Sequence, residues 1–238
     1  MDKSDDKHGF LSGTALKYIA IFAMLIDHIA WAFLPLESPL AQIMHTIGRL
    51  TAPIMCFMLA EGFHHTRNLK KYLLRMGIFA VISAFAFTFF EKGEFFPIAN
   101  MGIIYTLFLG LLALAVWNSK LHIAVRYLLI IALCGLSLVG DWPVFGILFV
   151  LAFGINYGNF KKQSLMFSII AIFMSTIMVA GTKPWYIAAF NFAVLLAIPL
   201  LRLYNGEKGR GGKFNKWVFY VFYPLHLVIL GIIKFYIL

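Results

Sequence analysis

Charge is scarce in this sequence. Of its 238 residues, 13% are Asp, Glu, Lys or Arg, and only 10 are acidic. Soluble domains carry about 25% charged and about 45–50% apolar residues. Here 62% of residues are hydrophobic and mean hydropathy is +0.87. A water-soluble globular fold is therefore excluded, and the pattern is that of an integral membrane protein. Cysteine is scarce too. Cys56 and Cys134 lie in different apolar runs, which gives no disulfide scaffold and suits small buried side chains. No CxxC, HExxH or GxSxG motif occurs, so dithiol redox, zinc hydrolysis and elbow-serine chemistry lack support, and no metal is expected. "NGEKGRGGK" (Asn205 to Lys213) lacks the spacing of a phosphate-cradling loop. No internal repeat is visible.

The net charge of +10 invites a nucleic-acid reading. The basic residues sit instead in short gaps between apolar runs, as in cytoplasmic membrane loops, so no nucleic-acid partner is expected and membrane lipids are. Nine runs have roughly spanning length: 14–34, 40–64, 71–90, 99–117, 123–140, 142–158, 164–181, 185–203 and 217–237. Each approaches the ~20 residues a helix needs to cross the hydrocarbon. The expectation is an all-α polytopic bundle of about nine transmembrane helices forming one domain over 1–238. Residues 1–13 form a cytoplasmic tail and 204–216 a flexible cytoplasmic loop. The first run lacks a small-residue cleavage site and reads as a retained span rather than a signal peptide. With the N-terminus inside, Lys and Arg gather in the inner gaps and only Lys92, Lys183 and Lys234 remain outside. That bias predicts a cytoplasmic N-terminus and an outer C-terminus.

Ionisable groups inside a bilayer are costly, about 2.5–3.5 kcal/mol each at mid-membrane, and are paired or face a wet cavity. Six fall within the runs: Asp27, His28, His45, Arg49, Glu61 and His226. Counted from the outer ends, Asp27 lies about 10 Å deep and Arg49 about 13 Å deep, so the two can pair. Neighbours on a helix diverge by about 100°, so Asp27 does not orient His28. His45 is one turn from Arg49, with placement near the outer interface as its plainer reading. His64 and His65 read as interfacial, while Glu61 is deeper and a candidate for a role. Pro224 frees a backbone carbonyl in the last run. His226 follows two residues later, about 13 Å from the inner end, beside Tyr220 and Tyr223.

Several stretches resemble the TraX family of polytopic membrane proteins, named for the enzyme that N-acetylates the pilin of conjugative pili. They are "LKYIAIFAMLIDHI" (Leu16 to Ile29), "GRLTAPIMCFMLAEGFHHTRNLKKYLLR" (Gly48 to Arg75), "DWPVFGILFVLAF" (Asp141 to Phe153) and "FYVFYPLHLVIL" (Phe219 to Leu230). The resemblance implies a multi-pass inner-membrane enzyme moving an acetyl group from acetyl-CoA to an amine. The acceptor would be a pilin-like peptide N-terminus or an exported glycan. It singles out Asp27, His28, Arg49, Glu61, Arg75, Asp141, Tyr223 and His226 among others.

Acyl transfer needs a general base and a group that steadies the oxyanion. The expected base is His28, with His226 as runner-up. Arg49 would steady negative charge with Asp27 holding it, and Arg67, Lys70, Lys71 and Arg75 would take the donor's phosphates. Plain positive-inside topology also accounts for those four charges. The rival expectation is a small transporter or pilus assembly factor with a polar permeation path; the paired broken helices of many transporters are not visible.

Overall fold

The computed structural model describes residues 9–94, 96, 100–209 and 213–237. Most of the expected tail, and residues 210–212 of the expected loop, lie outside them. Ten α-helices run in order: α1 (Gly13–Phe33), α2 (Pro39–Gly48), α3 (Thr51–His65), α4 (Leu69–Lys92), α5 (Gly102–Trp117), α6 (Ile123–Leu136), α7 (Phe145–Ile155), α8 (Phe160–Gly181), α9 (Ala197–Arg202) and α10 (Lys213–Ile232). A twelve-residue 3-10 segment, Trp185–Leu196, precedes α9. The described residues contain no strand, only one bridge between Leu11 and Tyr204.

Local chemistry sets many of the ends. Ser12, Ser38, Asn68 and Asn159 cap α1, α2, α4 and α8, each side chain accepting from a backbone N–H three residues on. α1 stops at Leu34, which is extended (φ −118°, ψ 139°) because Pro35 follows. α4 ends on Gly93 in the left-handed region at φ 72°.

The nine apolar runs all fall on helical segments. Among the described residues, six of those segments are long and apolar enough to cross a membrane: Gly13–Phe33, Pro39–His65, Leu69–Lys92, Phe160–Gly181, Trp185–Arg202 and Trp217–Ile237. Three are shorter: Gly102–Trp117, Ile123–Val139 and Phe145–Ile155. The chain is a multi-pass membrane protein. The run 40–64 is α2 and α3 in succession, interrupted at Arg49 and Leu50. Pro53 sits in the first turn of α3, where its missing N–H costs nothing.

α7 is the hub: eight of its eleven residues are buried, and it packs on α3, α5 and α8. Small residues allow the approach. A Cβ on Gly110 would come 2.9 Å from Val150, and one on Gly154 would come 2.5 Å from Leu114. In lipid, such close packing supplies the dispersion that holds helices together. Phe149, Phe153 and Phe167 fill the space between α7 and α8 with ring centroids 4.8–5.1 Å apart. α6 buries only Ile130, and α8 leaves Ile169, Ile172 and Phe173 exposed; these are faces for lipid.

The described part of the expected loop is pinned rather than free. The Asn205 N–H donates to the Leu11 carbonyl, and the Glu207 and Lys208 carbonyls accept from the Gly13 and Thr14 N–H groups, at 2.8–3.0 Å.

Candidate active site

Two polar clusters meet where α1 passes α2, α3 and α10. The first is built on Asp27. Its carboxylate accepts from His45 Nδ1 at 2.8 Å and from Arg49 Nη2 at 3.4 Å. Gly48 lets the chain between those two donors close on α1, since a Cβ there would fall on the Asp27 side chain. Arg49 Nη1 donates to Asn191 Oδ1 at 3.4 Å. The guanidinium carbon lies 5.1 Å from the Trp142 ring centroid and 5.0 Å from that of Phe190. His45 stacks on Phe190, 5.0 Å between centroids. Arg49 Nε is buried with no partner among the described residues, so the cation keeps donors in reserve.

Trp142 reaches Arg49 from a strained link. Trp142 and Val144 have φ of 56° and 62°, and for a β-branched residue that is an outlier. Several bonds hold the link in place. Asp141 Oδ1 accepts from the Trp142 N–H at 2.9 Å, Ser137 Oγ accepts from the Val144 N–H at 2.8 Å, and Thr106 donates to the Asp141 carbonyl at 2.6 Å. Strain maintained this way clusters at functional sites.

The second cluster is a histidine pair. His28 Nδ1 and His226 Nε2 are 2.8 Å apart, and His226 Nδ1 lies 2.8 Å from the Phe222 carbonyl oxygen. A carbonyl only accepts, so His226 carries its proton on Nδ1 and offers a lone pair at Nε2. In the neutral pair His28 must then donate from Nδ1, which leaves the lone pair of His28 on Nε2. That nitrogen has no partner among the described residues, and His28 keeps 9% of its surface accessible. The edges of Phe90 and Tyr223 wall the rings at 5.3 and 6.5 Å.

The residues read from sequence divide into two groups. Asp27, His28, Arg49, Asp141, Tyr223 and His226 come together. Tyr220 belongs elsewhere, accepting from Arg75 Nε at 2.8 Å. Glu61 is about 18 Å from Arg49 along α3. It lines a separate cleft of about 320 Å³ with His65, Tyr157 and Tyr204. Burial, then the Glu61 charge, pushes the Tyr204 phenol up, so it stays a donor to Glu61 at 3.5 Å. Arg67, Lys70 and Lys71 are exposed at the start of α4, while Arg75 is turned inward over Tyr72 and Tyr220.

His45 has a defined role inside the protein: it is 1% exposed and grips Asp27. Its spacing of one turn from Arg49 was the available signal, two donors on one face aimed at one acid. Asn191, a lone amide in a long apolar run, was another. Nothing in the sequence pointed to Phe90 or Phe190.

These observations define a class: a polytopic membrane protein with a buried imidazole pair and a carboxylate-held, ring-stacked arginine. The chain belongs to the TraX family, whose model, described as TraX protein, matches residues 12–234. A relative, the probable fimbrial assembly protein FimC, serogroup H1, of Dichelobacter nodosus, is 34% identical over 239 residues, covering 95% of this chain and 97% of that protein. No solved structure matches.

Proposed function

We propose that this protein is an acetyltransferase of the inner membrane. It would move an acetyl group from cytoplasmic acetyl-CoA to the amine of a pilin-like peptide or a related exported acceptor. The observation that carries this is the directed histidine pair. A carbonyl fixes His226, His226 fixes His28, and the one free lone pair is on His28 Nε2. A fixed tautomer is what a general base requires. Membership of the TraX family and the name of the FimC relative support a role connected with pili.

In this reading His28 Nε2 takes the proton from the acceptor nitrogen as that nitrogen bonds to the acetyl carbon. The carbon–sulfur bond breaks, and His28 returns the proton to the departing thiolate, so the products are an amide and a thiol. Arg49, with spare donors, faces negative charge. Arg67, Lys70 and Lys71, exposed at the α4 N-terminus, suit the donor's phosphates. Arg75 fits that role less well, because its guanidinium is engaged by Tyr220.

The same orientation as in the sequence reading is proposed, N-terminus inside and C-terminus outside, with all nine segments entering the bilayer. Lys71 and Lys70 then lie about 28–30 Å along α4 from the level of Phe90 and His28, with Arg67 further out. The acceptor accordingly approaches from the outer side.

A second reading, favoured by the name of the FimC relative, is a pilus assembly factor without chemistry. Purified protein given acetyl-CoA labelled in the acetyl group and a pilin N-terminal peptide discriminates. Label in the peptide with wild type and none with His28→Ala supports the enzyme. Equal label with both removes His28 as the base, and none with either favours the assembly factor.

A further inference from the structure

Tyr223 is 3% exposed, yet its hydroxyl has no hydrogen-bond partner among the described residues. Leaving a buried hydroxyl unpaired costs about 1–3 kcal/mol, so its persistence asks for an absent acceptor. Its position narrows what that acceptor is. The phenol stands at the N-terminal end of α5: a Cβ on Gly102, the first residue of that helix, would come 3.1 Å from Tyr223 Oη. Gly102 has φ 66°, a conformation that glycine adopts without strain. The Ile103 N–H lies close enough to act on the phenol oxygen, though without full hydrogen-bond geometry. The phenol is thus left as a hydrogen-bond donor. The positive end of a sixteen-residue helix strengthens that donor.

The ring of Tyr223 stands edge-on to His226, 5.7 Å between centroids, and to His28, 6.5 Å. The Tyr223 ring therefore packs against both imidazoles. The charged groups whose fields reach it are Asp141 and Glu91. Asp141 already accepts from the Trp142 N–H, and Glu91 from Asn100.

We propose that Tyr223 Oη is the oxyanion donor of this site: it donates a hydrogen bond to the acyl carbonyl oxygen, backed by the α5 N-terminus, while His28 handles the amine proton. The phenol keeps its proton throughout, so only the strength of the hydrogen bond changes as the oxygen gains charge. This inference rests on the acyl-transfer reading and adds Tyr223 to Arg49 as a donor to the developing negative charge.

Two measurements on Tyr223→Phe test it. The first is acetyl transfer with saturation kinetics. Loss of one oxyanion donor lowers kcat about 10²–10³-fold, with KM for the donor little changed. The second is infrared spectroscopy of the complex with acetonyl-CoA labelled with carbon-13 at the ketone, an analogue whose carbonyl carbon carries no bond to sulfur. The carbonyl band sits lower in wild type than in Tyr223→Phe if the phenol donates to it. Thermal stability of Tyr223→Phe is unchanged or higher, because a hydroxyl that bonds nothing is removed; a structural tyrosine would move the opposite way. Active wild type, with Tyr223→Phe equally active and its ketone band unshifted, overturns the Tyr223 assignment and leaves the acyl-transfer reading standing. Wild type that neither transfers acetyl groups nor gives a bound ketone band overturns both.

Discussion

Replacing Asp27 with Asn is the sharpest probe of the buried polar centre. The carboxylate is shared by His45 at 2.8 Å and Arg49 at 3.4 Å, with the Asp27 and Arg49 side chains only 13% and 11% exposed. At 3.4 Å and an effective dielectric of 20 the Asp27–Arg49 attraction alone is about 5 kcal/mol, before desolvation is subtracted. Asparagine keeps the shape but removes the charge, and it turns an N–H₂ toward one of two groups that themselves donate. Arg49 is left as a buried cation with Asn191, two rings and the more distant Asp141 for company. Breaking a buried pair from one side costs about 3–5 kcal/mol, and stacking on Trp142 and Phe190 returns about 1–2 of that. The net expectation is a loss of about 2–4 kcal/mol. Arg49→Met should cost a similar amount or somewhat less, since it leaves the carboxylate with His45 alone. The double variant should recover much of the loss, because neither charge remains. The assay is reversible unfolding in mixed micelles titrated with SDS, read by circular dichroism, for all four proteins of the cycle. A loss below about 1 kcal/mol for Asp27→Asn, or strictly additive losses in the double variant, would refute this account of the centre.

Other perturbations give separate outcomes. Gly48→Ala drives a Cβ into the Asp27 side chain and should destabilise by about 1–3 kcal/mol in the same titration. His226→Ala removes the acceptor that fixes the His28 tautomer; acetyl transfer should fall about 10–100-fold while the fold survives, and unchanged transfer would break the relay. Val144→Gly relieves a β-branched residue at φ 62°, so the protein should gain about 1 kcal/mol, with any loss of transfer reporting a looser Trp142. Arg67, Lys70 and Lys71 all changed to Gln should raise KM for acetyl-CoA without lowering kcat, and an unchanged KM would move the donor's phosphates elsewhere.

Much of the fold was legible because lipid and protein interiors ask for the same side chains. All nine apolar runs became helical, but apolar composition is silent about length and winding. The run 142–158 contains an α7 of only eleven residues, since its first three residues form the strained link that carries Trp142 to Arg49. The run 185–203 winds for twelve residues as a 3-10 helix. That winding holds Asn191, which bonds the Ala188 carbonyl at 2.9 Å, in reach of Arg49. Neither deviation has a hydropathy signature, because backbone winding is set by hydrogen bonds and not by apolar composition.

The site was half legible for a related reason. Depth along a helix can be counted, so Asp27 could be matched to Arg49, and Pro224 marked the turn where His226 is useful. Direction around a helix decides contacts between helices, and one sequence fixes it only where two polar residues share a face. His45 and Arg49 did share one, and together they explain why Asp27 is available to neither His28 nor His226. That division has a chemical consequence. With Asp27 occupied, the imidazole pair is oriented by a backbone carbonyl rather than by a carboxylate, so His28 gains a fixed tautomer without a negative charge behind it. Such a base has no carboxylate to share the proton it takes. On the proposed acyl-transfer reading, that proton returns to the departing thiolate, which suits a base that must give its proton back in every turnover.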